Sequence, residues 1–113
     1  MKTKVREQYG AVVIDLKGNV MGGDDTKEFN ELLHKLIDEE KTNIVVDLSD
    51  VKFMNSSGLG MLIGGLTTMK KANGSLKLAR TTEKIESLLV ITKLITIFES
   101  YDSVDEAVQS FNN

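Results

Sequence analysis

The sequence contains no cysteine and only one histidine in 113 residues. Without cysteine, disulfides, thiol catalysis and thiolate metal sites are excluded. A zinc site has equally little support, because His34 has no second histidine or cysteine to act with it. His34 falls outside the apolar stripe of its predicted helix, so we expect it on the solvated surface. No metal and no cofactor are therefore expected.

An excess of positive charge and long hydrophobic runs are also missing. The 14 Lys and Arg residues against 17 Asp and Glu give a net charge of −3, which creates no positive field for nucleic acid or an anionic membrane. The longest weakly polar stretch, residues 58–66, is far shorter than the roughly 20 residues that span a membrane. Residues 1–9 hold no apolar block of the kind found in a secretory signal. We expect a soluble, cytoplasmic protein, although a piece of a larger membrane protein would have the same composition.

The composition that is present is that of an ordinary globular protein. Hydrophobic residues make up 41% of the chain and charged residues 27%, both inside the normal range. A chain of this length buries roughly 60 to 70% of its unfolded surface on folding. We therefore expect one domain over residues 1–113, without linkers, repeats or low-complexity segments.

Hydrophobic periodicity divides the chain into strands and helices in the order ββαβαβαβα. Alternating or β-branched runs predict strands at residues 2–9, 11–17, 43–48, 75–80 and 95–98. Apolar residues spaced three and four apart predict helices whose stripes begin at Phe29, Leu59, Ile85 and Val104. Gly18 is expected to end the second strand.

The predicted helix N-caps and the connections between strands add detail to this fold. Asp25 with Glu28 and Ser103 with Glu106 have the spacing of capping boxes, and a loop is expected at residues 49–55. Strands joined through helices must run mostly parallel, with the helices on the sheet faces. The predicted fold class is α/β, a mixed and mainly parallel sheet of about five strands with about four helices packed on it.

Glycines interrupt the second predicted helix. Gly60, Gly64 and Gly65 lie inside it, where each costs about 0.8 to 1 kcal/mol relative to alanine. One explanation is close packing of this helix against the sheet or another helix. The other is an outward face of low relief formed by Gly60, Met61, Gly64 and Lys71, with Met61 as an exposed, adaptable side chain. Such a face suits the docking of a partner protein.

Ser56 and Ser57 stand at the start of this helix. Serine is a favoured N-cap residue, and Asn55 serves equally well. One capping residue suffices, so at least one hydroxyl is expected to be exposed and open to modification. The nearby glycines form no nucleotide loop, since neither the Gly-Lys-Ser/Thr step nor the dinucleotide fingerprint occurs. An enzyme is not expected, because no nucleophile has a base beside it.

Residues 45–66 resemble the central motif of the STAS-domain anti-sigma factor antagonists (sulfate transporter and anti-sigma factor antagonist). That motif is a strand, a loop ending in Asp-Ser-Ser/Thr-Gly-Leu-Gly, and a helix. DLS at 47–49 and FMNSSGLG at 53–60 match it. The likeness extends over nearly the whole chain and implies a STAS-like fold.

The resemblance implies a small regulator of transcription that works by partner switching. Such a protein binds a serine-kinase-type anti-sigma factor when unphosphorylated, is switched off by phosphorylation, and is restored by a serine phosphatase. Ser56 takes the place of the phosphorylated serine, with Ser57 as second choice. No direct contact with nucleic acid or membrane is expected, and the chain is expected to be a monomer or weak dimer. The surface expected to meet the partner comprises Met54, Asn55, Ser57, Gly58, Gly60, Met61, Gly22, Gly23 and Asp24.

Two positions depart from the family pattern. Asn55 stands where the family usually has Asp, and no acidic residue closely follows Gly18. Asp24 and Asp25 come later and are expected to cap the first helix. The family also includes modules that do not switch. The alternative is therefore a small-ligand sensor, with its ligand near Gly22 and Gly58, or a scaffold subunit of a larger signalling complex.

Overall fold

A five-stranded sheet forms the centre of the computed structural model, which describes residues 1–112. Its strands lie in the order β1-β2-β3-β4-β5, with β1 antiparallel to β2 and all other neighbours parallel. The strands are β1 (Lys2–Gln8), β2 (Ala11–Val20), β3 (Asn43–Met54), β4 (Ser75–Ala79) and β5 (Ser100–Tyr101). The helices are α1 (Asp24–Asp38), α2 (Ser56–Lys71), α3 (Glu83–Ile91) and α4 (Val104–Gln109). The predicted α/β class and element order are confirmed.

The helices cover the two faces of the sheet unequally. Helices α1, α2 and α3 pack on one face over the main core, which includes Ile14, Leu62 and Leu89. Helix α4 packs on the other face over a smaller cluster that includes Val13 and Val45. Side chains alternate along a strand, so the neighbours Val13 and Ile14 enter different cores.

Strands β2 and β3 are longer than the sequence predicts. In place of a loop at residues 49–55, β3 continues to Met54, and β2 runs through Gly18 to Val20, which pairs with Met54. Two register shifts in this pairing absorb an apolar pattern that does not alternate regularly. The prediction of a loop at residues 49–55 is wrong. Polar residues interrupt the apolar pattern of this segment, but Val51 and Met54 are buried in the core, and the strand continues through them.

The position of the last strand is also corrected. Residues 95–98 form no strand: Leu94–Thr96 is a 3₁₀ turn, and Ser100–Tyr101 forms β5. Ile95 and Ile97 are both exposed, and Phe98 is buried. The β-branched residues of this segment have a high strand propensity, which explains the prediction. Phe98 is its buried side chain, and the chain reaches that position through a 3₁₀ turn instead of a strand.

The predicted helix caps have different outcomes. Ser103 caps α4 as predicted, its Oγ accepting a hydrogen bond from the Glu106 N–H at 3.0 Å. Helix α1 has no side-chain cap, because Asp24 and Asp25 lie inside its first turn. The Asp25 carboxylate instead accepts a hydrogen bond from the Met21 N–H at 3.2 Å, which holds the turn that precedes the helix.

Neither a membrane-spanning helix nor a metal cluster is found within residues 1–112. No helix in that range is long and apolar enough to cross a membrane. Nor do three His, Asp or Glu side chains of the described residues come together in a way that would hold a metal ion. His34 is exposed on α1, as its position off the apolar stripe predicts.

Close packing explains one of the three glycines inside α2. A Cβ on Gly65 would lie 2.7 Å from Cε2 of Phe29 and 3.1 Å from Cδ1 of Leu33, so glycine lets α1 approach α2. Gly60 and Gly64 differ, because both are exposed and a Cβ on either would meet nothing within 4 Å. The packing explanation therefore holds for Gly65, and an open face remains at the other two.

Alanine at these two kinds of glycine position should have opposite effects on stability. Gly65→Ala crowds the buried Phe29 ring and is expected to lower the free energy of unfolding by about 1 to 3 kcal/mol. Gly64→Ala adds helix propensity without a new contact and is expected to raise it by up to about 1 kcal/mol. Urea unfolding of both variants beside the wild type measures the difference. Equal effects would contradict the packing assigned to Gly65.

Candidate functional site

The candidate site lies where β2 and β3 end. These strands are parallel neighbours, and Val20 at the end of β2 pairs with Met54 at the end of β3. The turn into α1 and the start of α2 therefore lie side by side, at the edge of an α/β sheet where binding sites commonly form. Ser56, the first residue of α2, lies at this edge.

Asn55 links the end of β2 to the first turn of α2. Its N–H donates to the Val20 carbonyl oxygen at 3.4 Å, and its Oδ1 accepts a hydrogen bond from the Gly58 N–H at 2.8 Å. Its extended backbone, with φ −100° and ψ −177°, is typical of an N-cap residue. Because Asn55 does the capping, neither Ser56 nor Ser57 is needed for it.

Ser56 and Ser57 are both exposed. Ser57 is the more enclosed, since a Cβ on Gly22 would lie only 2.6 Å from the Ser57 Cβ. Ser56 is the first residue of α2, a helix of 16 residues. Its hydroxyl is therefore available on the surface.

Two buried glycines hold the turn between β2 and α1 against α2. A Cβ on Gly58 would lie 2.1 Å from the Val20 carbonyl oxygen, so no larger residue fits there. Gly22 has a φ of +82°, a left-handed conformation that favours glycine, and it lies against Ser57. These contacts fill the space beside both glycines. Gly22 and Gly58 are thus buried at the site and allow the end of β2 and the following turn to lie directly against α2.

The structure separates the predicted partner surface into two groups. The exposed or half-buried members are Gly23, Asp24, Asn55, Ser57 and Gly60. The buried members are Gly22, Met54, Gly58 and Met61. The second group lies beneath the surface that a partner protein would touch.

Met61 is the clearest correction at this site. The sequence predicts an exposed side chain, but Met61 is only 2% exposed and belongs to the main core. Helix α2 packs against both α1 and the sheet, so its buried arc is wider than the single apolar stripe read from the sequence. The prediction of an exposed methionine on α2 is wrong for this reason.

Two other apolar side chains at this edge are exposed, although the sequence did not single them out. Met21, directly after β2, is 45% exposed, and Phe53, one residue before the end of β3, is 50% exposed. Burial does not alternate at the end of β3: Val51 and Met54 lie in the main core, whereas Lys52 and Phe53 between them are exposed. Strand alternation in the sequence therefore does not predict the exposure of Phe53.

The electrostatics of the α2 N-terminus favour an added negative group. The first turn of α2 contains no acidic residue. The free N–H groups of a helix N-terminus carry a partial positive charge. Asp25 belongs to α1 and is engaged with the Met21 N–H. A negative group on Ser56 is therefore compatible with this end of the helix.

Asp47, part of the motif that resembles the family, has a structural role. It is 2% exposed in β3, and its carboxylate accepts hydrogen bonds from the Arg80 guanidinium, one of them at 3.1 Å from Nε, and from the Ser49 N–H at 3.1 Å. Burial alone would raise the pKa of Asp47, but the bonds from Arg80 and Ser49 outweigh it and hold that pKa below its ordinary value. The pair ties β3 to the residue that follows β4.

Comparison with known sequences finds relatives along most of the chain. The family model described as the STAS domain matches residues 2–107. The anti-sigma-B factor antagonist of Bacillus subtilis (strain 168) is 33% identical over 97 residues, which cover 84% of this chain and 89% of that protein.

Solved structures have the same fold. A protein of Thermotoga maritima gives a TM-score of 0.87 at 21% identity, covering 98% of this chain and 95% of that one. The Bacillus protein SpoIIAA, solved in its unphosphorylated and phosphorylated forms, gives TM-scores of 0.73 and 0.74 at 17% and 18% identity. These alignments cover 99% and 97% of this chain and 99% of each SpoIIAA chain. At such identities the likeness shows the fold alone.

Two substitutions at Asn55 separate its capping bond from its charge. Asn55→Ala removes the acceptor for the Gly58 N–H and is expected to lower the free energy of unfolding by about 0.5 to 2 kcal/mol. Asn55→Asp keeps the acceptor and adds a negative charge at the helix N-terminus, so stability at neutral pH should stay equal or rise by up to about 1 kcal/mol. Chemical denaturation measures both, and a neutral Asn55→Ala would show that the cap lies elsewhere.

The ion pair of Asp47 predicts a pH dependence. Asp47→Asn is expected to lower the free energy of unfolding by about 1 to 3 kcal/mol at neutral pH, because the bonds from Arg80 lose their charged acceptor. The pKa of Asp47 is lower in the folded protein than in the unfolded chain, so this stabilisation is complete above the unfolded-state pKa of about 4. It is lost as pH falls through the folded-state value. Denaturation of both proteins along an acid series should show the gap closing, whereas a constant gap would contradict the role of the carboxylate charge.

Proposed function

Because the chain belongs to the STAS domain family, we propose that it is an anti-sigma factor antagonist whose partner binding is switched off by phosphorylation of Ser56. The observation that carries this proposal is the exposed Ser56 at the start of α2, beside the turn before α1, where Asn55 does the helix capping. In this role the chain acts in the cytoplasm as a single domain, and it works by binding and not by catalysis.

Relatives of the chain support the proposed role. The Bacillus subtilis relative is named as an anti-sigma-B factor antagonist, and its similarity extends over most of both chains. A fold neighbour, SpoIIAA, exists in unphosphorylated and phosphorylated forms. The first fact favours an anti-sigma factor antagonist, and the second favours control of it by phosphorylation.

The choice of Ser56 over Ser57 follows from their surroundings. Gly22 packs against the Ser57 Cβ, which encloses that side chain on one side. Ser56 precedes it at the first position of α2 and has an exposed side chain. A kinase active site therefore reaches the Ser56 hydroxyl with less obstruction.

The chemical step is a phosphoryl transfer from ATP bound to the partner kinase. The Ser56 Oγ forms a bond to the γ-phosphorus, the bond to the β-phosphate oxygen breaks, and ADP leaves while the hydroxyl proton passes to a base of the kinase. A serine phosphatase hydrolyses the ester, which returns the hydroxyl and releases inorganic phosphate. No group on this chain needs to act as catalyst.

The added phosphate changes binding more than folding. It carries about −1.5 to −2 charges, and the N-terminus of α2 stabilises negative charge by about 0.3 to 1 kcal/mol. At an interface the same dianion must lose water or face like charge, which costs several kcal/mol. Each 1.4 kcal/mol changes affinity about tenfold, so partner binding falls by orders of magnitude.

Serine variants test the switch, with the anti-sigma factor that co-purifies with the unmodified chain as the partner. Ser56→Ala is expected to bind like the wild type, because it adds no charge. Ser56→Asp, with about half the charge of a phosphate, is expected to bind about tenfold more weakly or worse. Isothermal titration calorimetry measures all three forms.

Labelling with ATP and the partner kinase assigns the acceptor. Ser56→Ala is expected to lose the phosphate label, and Ser57→Ala serves as the matched control that keeps it. Equal labelling of Ser56→Ala and wild type, or wild-type affinity for Ser56→Asp, would contradict the proposed switch.

A further inference from the structure

A groove of about 180 Å³ lies between the end of β3 and the first turns of α3. Its apolar lining comes from Phe53, Met54, Ile85 and Leu88. Phe53 is 50% exposed, whereas Met54 and Ile85 are buried and form the floor. A half-exposed aromatic side chain beside a buried apolar floor is an arrangement that protein interfaces use as an anchor. We call this feature the Phe53 groove.

Two lysines border the Phe53 groove. Lys52 and Lys84 line it, and both are exposed. The lysine–carboxylate ion pairs among residues 1–112 involve Lys41 and Lys77, and neither lysine of the groove takes part in one. The two charged residues that line the groove are therefore both positive, in a chain whose net charge is −3, and they complement carboxylates on another molecule. Glu83 and Glu86, in the first turn of α3, do not line it.

The Phe53 groove is continuous with the first turn of α2. Met54 lines the groove, and its Cγ would lie 3.1 Å from a Cβ on Gly58. Phe53 precedes Ser56 by three residues, and an extended chain limits the distance between their Cα atoms to about 10 Å. This distance is comparable with the Debye length of about 8 Å at physiological salt. A charge on Ser56 is therefore felt at the groove.

We propose that the anti-sigma factor docks on the Phe53 groove, with an apolar side chain against Phe53 and its own carboxylates against Lys52 and Lys84. This inference rests on the proposed function, because it names the chemistry of that partner. The apolar anchor supplies affinity, and the carboxylates supply orientation and association rate. Phosphorylation of Ser56 places about −2 charges beside these carboxylates, and like-charge repulsion releases the partner.

Two variants test the two parts of the groove, with the purified anti-sigma factor as the probe and calorimetry as the measurement. Phe53→Ala removes the anchor and is expected to raise the Kd of the unphosphorylated chain about tenfold or more. The double variant Lys52→Glu, Lys84→Glu reverses the border charge. It is expected to raise the Kd about tenfold or more at low salt and to remove the weakening that added salt causes in the wild type.

Matched control variants are made at residues that do not line the Phe53 groove. Ile91→Ala removes an apolar side chain that is 78% exposed. Lys35→Glu with Lys93→Glu makes the same change of charge as the groove variant, at two exposed positions. Both controls are expected to bind with wild-type affinity. Thermal unfolding of every variant establishes that it is folded.

The outcomes separate this inference from the function on which it rests. If the wild type binds and either groove variant binds equally well, the groove proposal is overturned while the Ser56 switch stands. If the wild type binds no anti-sigma factor, the proposed function falls and the named partner falls with it. A dimer of this chain that Phe53→Ala abolishes would assign the groove to a second copy and contradict the proposal.

Discussion

The contact between Gly58 and the carbonyl oxygen of Val20 fixes where α2 begins. The two backbones approach so closely that position 58 has no room for a Cβ, and Gly22 likewise lets the neighbouring turn lie against Ser57. Asn55 can therefore bond to the end of β2 and to the first turn of α2 at once. Ser56 is left outside this arrangement, at the surface. An exposed serine is thus presented by a turn that backbone and side-chain hydrogen bonds hold in place.

The same turn can accept charge without losing its structure. The cap is a neutral amide from Asn55, and no acidic side chain occupies the first turn of α2. A phosphate on Ser56 therefore meets the positive end of the helix without a carboxylate in the same turn. The same phosphate would destabilise an interface that covers Ser56, because the dianion must lose its water there. The proposed phosphorylation of Ser56 is therefore expected to weaken association and to leave the fold unchanged.

The element order follows from the hydrophobic pattern, because the helices bury one side and the central strands are short apolar runs buried on both faces. The Ser103 cap follows from its spacing to Glu106. The length of β3 does not follow, since its register shifts depend on the neighbouring strand. Burial of Met61 depends on how α1 packs against α2, which no single helix encodes. The exposure of Phe53 also cannot be predicted from the sequence alone, because it depends on β3 extending to Met54. The motif around Ser56 was readable from sequence, whereas the apolar surface beside it emerged from tertiary packing.

Charge on Ser56 is expected to act on binding and to leave the fold intact, and amide NMR spectra recorded before and after stoichiometric phosphorylation test this most directly. The predicted result is a set of chemical-shift changes confined to the turn before α1, the end of β3 and the first turn of α2, with unchanged hydrogen-exchange protection in the rest of α2. Shift changes spread through the sheet, or loss of protection along α2, would contradict it.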